Sequence, residues 1–208
     1  MTRVKVCGLK TLADLRAAEG ADAVGFVVAS PDSKRNLAPF LAADLAARAA
    51  PFVQTVLVTR EAEPARLAAL QGAVPTGALQ VHGVRDATLA RAVRKATSGK
   101  LVLSVGVEGP DALRVAAEIA PHADAILLDS VRRGKVGGTG HTHDWNLSAR
   151  IVRGLDVPVI LAGGLTPANV AEAIRVVKPY AVDVSGGVEG PRGKSRSKVL
   201  KFLEAAHG

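Results

Sequence analysis

Eight times along 208 residues, a short run of β-branched and apolar residues gives way to a longer segment rich in Ala, Leu, Arg and Glu. The runs lie at 3–6, 23–28, 53–58, 78–81, 101–105, 125–128, 159–162 and 181–184. The segments between them, 11–19, 39–49, 64–70, 86–95, 111–119, 147–153, 167–177 and 195–206, carry helical periodicity. About 26 residues fall to each unit, enough for one strand, one helix and two short loops. Strands too apolar to leave a face in water predict a parallel sheet covered by helices. Eight of them predict a closed (β/α)8 TIM barrel, because closure leaves no edge and the Gly-rich loops gather after the last three strands. A doubly wound open sheet is the alternative. The whole chain, 1–208, reads as a single (β/α)8-barrel domain. Thr11 with Asp14 forms a capping pair at the first helix, and Thr166-Pro167 places an N-cap and a first-turn proline at the seventh.

Composition excludes several classes. One cysteine, Cys7, rules out an intrachain disulfide and any cysteine-built metal site. No metal is expected either at His141 and His143, which are spaced i and i+2 in a Gly-rich loop and read as solvated. No apolar stretch reaches membrane length and no leader pattern precedes the first strand, so a cytoplasmic protein without membrane contact is expected. The net charge of +8 raises the question of nucleic acid, but four Phe, one Tyr and one Trp are too few for stacking platforms. No nucleic-acid partner is expected, and the charge reads as a surface that attracts a small anion. The densest basic cluster, Arg192, Lys194, Arg196, Lys198 and Lys201, opens the last helix and faces either a phosphate or water.

Candidate chemistry sits where strands end. Cys7 closes the first run and is followed by Gly8, at the carboxyl end of a strand where α/β barrels keep their sites. Taken alone, a lone cysteine there reads first as a small buried hydrophobe and only second as a site. Asp129 ends the sixth run, so its carboxylate projects into the barrel mouth as a general acid or base, a metal ligand or the partner of an arginine. Glycines follow the last three strands at Gly137-Gly138-Thr139-Gly140, Gly163-Gly164 and Ser185-Gly186-Gly187. At one end of successive strands they predict backbone amides converging on a phosphate.

These motifs in this order, with Val4-Lys5-Val6-Cys7-Gly8-Leu9, Ser33-Lys34-Arg35, Gln80-Val81-His82-Gly83, Leu127-Leu128-Asp129-Ser130, Asp144-Trp145 and Asp183-Val184-Ser185, resemble the phosphoribosylanthranilate isomerase family. The resemblance runs from Val4 to Phe202. It implies an Amadori rearrangement of a phosphosugar-anthranilate substrate with no cofactor, with Cys7 as general base and Asp129 as general acid. It further implies substrate contacts at Arg35, His82, Gly138 and Asp183, phosphate contacts at Gly163, Gly164, Ser185 and Gly186, and a monomer or homodimer. The chain departs from the family pattern in Thr55-Val56-Leu57-Val58-Thr59-Arg60, at Gly186, where a second serine is usual, and at His141 and His143. Another phosphosugar barrel enzyme and a non-enzymatic phosphate binder are the competing readings.

Overall fold

The computed structural model describes residues 1–132, 135–136 and 143–208, with 131–132 and 135–136 by backbone alone. Eight parallel strands form the barrel: β1 Arg3–Cys7, β2 Ala23–Val28, β3 Gln54–Thr59, β4 Ala78–His82, β5 Lys100–Gly106, β6 Ala125–Asp129, β7 Val159–Leu161 and β8 Ala181–Val184. Each pairs with its neighbours in sequence, and β1 pairs with both β2 and β8, which closes the ring. The helices are α1 Leu12–Ala17, α2 Pro39–Ala47, α3 Pro64–Ala73, α4 Ala87–Ala96, α5 Asp111–Ile119, α6 Trp145–Gly154, α7 Val170–Val177 and α8 Arg196–His207. None of the described helices is long and apolar enough to cross a membrane.

Alternation along the strands sorts the side chains into two environments. One set, including Val6, Phe26, Leu57, Leu79, Leu103, Leu128 and Val182, packs outward against helix residues such as Leu67, Val93, Ile119 and Phe202 in one continuous core. Each fully buried Leu or Phe there contributes about 1.5–3 kcal/mol. The other set points into the barrel, where small and branched residues form two apolar patches, Cys7 with Val27, Val56, Val58 and Ala78, and Val102 with Ala125, Leu127 and Ala162. The inner face is not wholly apolar, because Lys5, Gln80, Ser104 and Asp183 are also buried on it.

The seventh helix starts three residues later than its proline suggests. Asn169, not Thr166, is the N-cap. Its side chain accepts from the Thr166 amide at 2.8 Å and donates to the Gly164 carbonyl at 3.1 Å, fixing Pro167 to Asn169 as a turn. At α1 the expected capping box is present in full. Asp14 does more than cap: its carboxylate accepts from the backbone amides of Lys10 (2.8 Å) and Thr11 (3.1 Å) and, far along the chain, from that of Lys194 (2.6 Å). Lys194 lies in a two-stranded hairpin, Glu189–Gly190 with Gly193–Lys194, so this one carboxylate anchors the final loop of the barrel to the first helix.

Asp14 is only 3% exposed, so its removal strands donors that water reaches poorly. Asp14→Ala is expected to lower unfolding stability by about 2–4 kcal/mol, and Asp14→Asn by less, because the amide oxygen still accepts. Urea denaturation at neutral pH checks this, and a loss below about 0.5 kcal/mol for Asp14→Ala would contradict the anchoring role.

Candidate active site

The carboxyl ends of the strands carry nearly every polar residue singled out in the sequence. Cys7 ends β1 and is 8% exposed, with its sulfur turned toward the barrel interior. Gly25 on β2 stands directly beside it, and a β-carbon there would lie 2.9 Å from the Cys7 sulfur and 3.3 Å from Lys5 Nζ. Glycine at this register position therefore leaves the room in which the thiol and the ammonium sit together. Lys5, two residues before Cys7, forms a buried ion pair with Asp183 on β8 at 2.9 Å. The other Asp183 oxygen, Oδ1, is buried with no hydrogen-bond partner among the described residues.

A second charge cluster covers the top of β1 and β8. Glu189 accepts from Arg35 Nε at 2.6 Å, from Lys34 at 3.0 Å and from Lys194 at 3.2 Å. Although burial alone would raise the Glu189 pKa, hydrogen bonds from Arg35 and Lys34 and the charge of Lys194 bring it down to about 2. Lys194 Nζ also donates to the Ser185 carbonyl at 3.0 Å and contacts its hydroxyl at 3.2 Å, while that hydroxyl donates to the Cys7 carbonyl at 2.9 Å. The Ser185 proton is thus committed to protein. Arg35 lies over Gly8 and Gly186, with Nη2 3.5 Å from where a Gly186 β-carbon would be.

Across the mouth, Asp129 and His82 line a cavity of about 130 Å³ together with Ser104, Arg85 and Glu108. Burial and the nearby Asp183 carboxylate push the Asp129 pKa up to about 7, against the opposing Ser130 amide, Lys5 and Arg35. A carboxylic acid half-protonated at neutral pH can both deliver and retrieve a proton. His82 is moved the other way, to about 4, by burial and by the charges of Lys5 and Arg60, so its ring is neutral. Its Nε2 is 3.0 Å from Gln80 Nε2, whose amide also reaches the Ser104 hydroxyl at 3.4 Å. The Cys7 thiol is pushed above its ordinary range by burial, relieved by Lys5, worsened by Asp183 and relieved again by Lys194.

Gly163 and Gly164 follow β7 with φ of +83° and +69°, a region that favours glycine. Gly163 also lies so close to the Ser130 backbone that no β-carbon fits, which sets this loop directly beside the end of β6. Gly138 and His141 lie outside the described residues. His143 is not the solvated loop residue read from the sequence. It sits against α6, 2.7 Å from the Ser148 hydroxyl, and burial lowers its pKa to about 4.

The structure therefore groups Cys7, Arg35, Asp183, Ser185 and Gly186 on the β1–β8 side, and His82 with Asp129 across the cavity. It adds two groups that the sequence reading missed, Lys5 and Glu189, and pairs the second with Lys194, which the sequence placed only within the basic cluster. Lys5 was discoverable, since it shares the Cys7 face of a period-2 strand. Lys194 and Glu189 were not, because their meeting depends on the hairpin that Asp14 holds. In the basic cluster only Lys194 turns inward. Arg196 donates to the carbonyls of Ala17 and Glu19, and Lys198 to that of Glu189 at 2.8 Å.

Comparison with known proteins agrees with this architecture. The model of the N-(5'-phosphoribosyl)anthranilate (PRA) isomerase family matches residues 4–205. The N-(5'-phosphoribosyl)anthranilate isomerase of Natronomonas pharaonis is 41% identical over 212 residues, covering 100% of this chain and 99% of that protein. The crystal structure of phosphoribosyl anthranilate isomerase from Thermotoga maritima superposes with a TM-score of 0.87 at 36% identity, covering 100% of both chains. A phosphoribosyl anthranilate isomerase solved in complex with reduced 1-(o-carboxyphenylamino)-1-deoxyribulose 5-phosphate gives 0.84 at 34%, again over 100% of both. With a match of this extent joined to an eight-stranded barrel whose first strand ends in Cys7 and whose sixth ends in Asp129, the chain belongs to the N-(5'-phosphoribosyl)anthranilate isomerase family.

Proposed function

We propose that this protein is a phosphoribosylanthranilate isomerase of tryptophan biosynthesis, with Asp129 as general acid and Cys7 as general base. The observation that carries the reading is the Asp129 carboxyl, raised to about 7 at the edge of a cavity. An ordinary aspartate is ionised at neutral pH and has no proton to give, whereas this one does. The support from relatives is the reduced product analogue named in the complex above, whose carboxyphenyl and phosphate groups are anionic and suit a rim that carries both cations and glycine loops.

In the proposed reaction, Asp129 protonates the furanose ring oxygen as the bond from that oxygen to the first sugar carbon breaks, leaving a Schiff base. The Cys7 thiolate removes the proton from the second carbon, and the electron pair of that bond moves to give an enolamine. A proton returned to the first carbon while the hydroxyl on the second carbon loses its own yields the ketone, and these two transfers restore the Cys7 thiolate and the Asp129 acid. Hydrogen is moved and no electrons leave the molecule, so the steps balance without an added oxidant or reductant. The phosphate is assigned to the backbone amides at Gly163, Gly164, Ser185 and Gly186, the last of which opens the short 3-10 turn Gly186–Val188. Arg35 suits the anthranilate carboxylate by its planar fork, and His82, Asp183 and Gly138 are assigned to the rest of the substrate.

Four measurements test this reading. Purified protein should abolish the fluorescence of N-(5-phosphoribosyl)anthranilate in the presence of a chelator, and Cys7→Ser and Asp129→Asn should each lower kcat by at least about a hundredfold. A rate within about tenfold of wild type would remove that residue from its role. Because the acid must be protonated and the thiol ionised together, kcat/KM should rise to a plateau near pH 7 and fall only above the ordinary thiol range. The same carboxyl also sets a stability signature. Between roughly pH 4 and pH 7 the folded protein holds a proton that the unfolded chain has lost, so stability falls as pH rises through that window. Asp129→Asn removes this burden and should be more stable than wild type at pH 8, by up to about 4 kcal/mol, with no gain at pH 4. Thermal melts at the two pH values measure it.

A further inference from the structure

Beneath the proposed acid and base lies a buried charged pair that neither role uses. Lys5 and Asp183 are 6% and 8% exposed, and two charges taken this far from water cost more than structural convenience explains. An apolar pair would close the same seam between β1 and β8. Geometry suggests what the pair is for: Lys5 Nζ and Cys7 Sγ flank the same point beside Gly25, and the ammonium is held there by its hydrogen bond to Asp183. From the pairing register, Lys5 is opposite both Asp183 on β8 and Ala23 on β2, so it stands at the centre of the closing seam.

We infer that Lys5 is a positioning residue, an ammonium clamped by Asp183 beneath the Cys7 sulfur as the fixed counter-charge of the thiolate. This rests on the reading of Cys7 as the base. Charged groups face the sulfur from each packed element that carries one: Lys5 from β1 itself, Asp183 from β8 and Lys194 from the following hairpin, while β2 offers Gly25 and Val27 with no charge. Lys5 is the largest of these influences after burial and acts in the direction of ionisation. Burial alone would strip its own proton, but Asp183 and Cys7 outweigh that and raise its pKa, so the cation persists wherever the enzyme works. Lys194 is a poorer counter-charge, since burial lowers its pKa and Glu189 and the Ser185 carbonyl already hold it. When the thiolate takes a proton from carbon, its charge vanishes and the Lys5 ammonium remains satisfied by Asp183. The clamp therefore keeps the cation in place through both states of the base.

Since Cys7 is the only cysteine, thiolate absorbance at 240 nm reports it alone once the matching Cys7→Ser protein is subtracted. Lys5→Met should move the thiol inflection upward by about one pH unit or more, and Lys5→Arg should restore most of it. Asp183→Asn, which removes the opposing carboxylate, should move it downward. In turnover, Lys5→Met should lower kcat at pH 7 by about tenfold or more, narrow its deficit against wild type only above the wild-type thiol inflection, and leave KM within about threefold, because Lys5 is assigned no substrate contact. Should Lys5→Met fail to fold, Lys5→Met/Asp183→Asn removes both buried charges, and its inflection should lie above that of Asp183→Asn alone. An inflection within about 0.3 units of the matched parent overturns the inference and leaves a purely structural pair. The outcome is separable from the reading beneath it, since an active Cys7→Ser protein would dismiss the base while leaving the absorbance shift intact.

Discussion

The ion pair between Lys5 and Asp183 is the constraint on which the interior of this barrel depends. It spans the strands where the first and last units of the chain meet, so it is formed only when the ring closes. Losing one partner would leave an uncompensated charge in a dry chamber, at a cost of several kcal/mol. Keeping both means that the field inside the barrel is set by protein groups rather than by water. That field is felt at Cys7, at Asp129 and at His82.

Acid and base make opposite demands on one environment. Burial pushes both Cys7 and Asp129 toward their protonated forms, which suits an acid and hinders a base. The two are reconciled by unequal neighbours. Asp183 adds to the effect of burial at Asp129, whereas Lys5 opposes it at Cys7. A single pair with its cation toward β1 and its anion on β8 thus differentiates two sites a few strands apart. His82, neutral under the same burial and beside the same cation, contributes a polar but uncharged wall to the cavity.

The eight strands were legible to within about a residue at each end, because a buried parallel strand writes itself as an unbroken apolar run bounded by turn residues. Cys7 and Asp129 were legible for a related reason: a polar residue that ends such a run has nowhere to go but the barrel mouth. Lys5 shares the Cys7 face of its strand, but it carries no signature of its own there, and only closure of the ring gives it Asp183 as a partner. The start of α7 was missed because Pro167 is a good first-turn residue in general, while the Asn169 side chain made the better turn here. Glu189 and Lys194 depend on a contact spanning 180 positions, and no local pattern encodes it.

That long-range contact bears on how the polypeptide emerges from the ribosome. Until Lys194 has been synthesised, the Asp14 carboxylate lacks one of the three backbone amides that donate to it, and the hairpin that carries Glu189 has no anchor. The cation cluster around Glu189 cannot assemble on a nascent chain that stops short of it. A chain that stops before Lys194 lacks both this rim and the final helix, whose Phe202 lies in the core, so the site and the packing of the barrel are completed together by the last residues made.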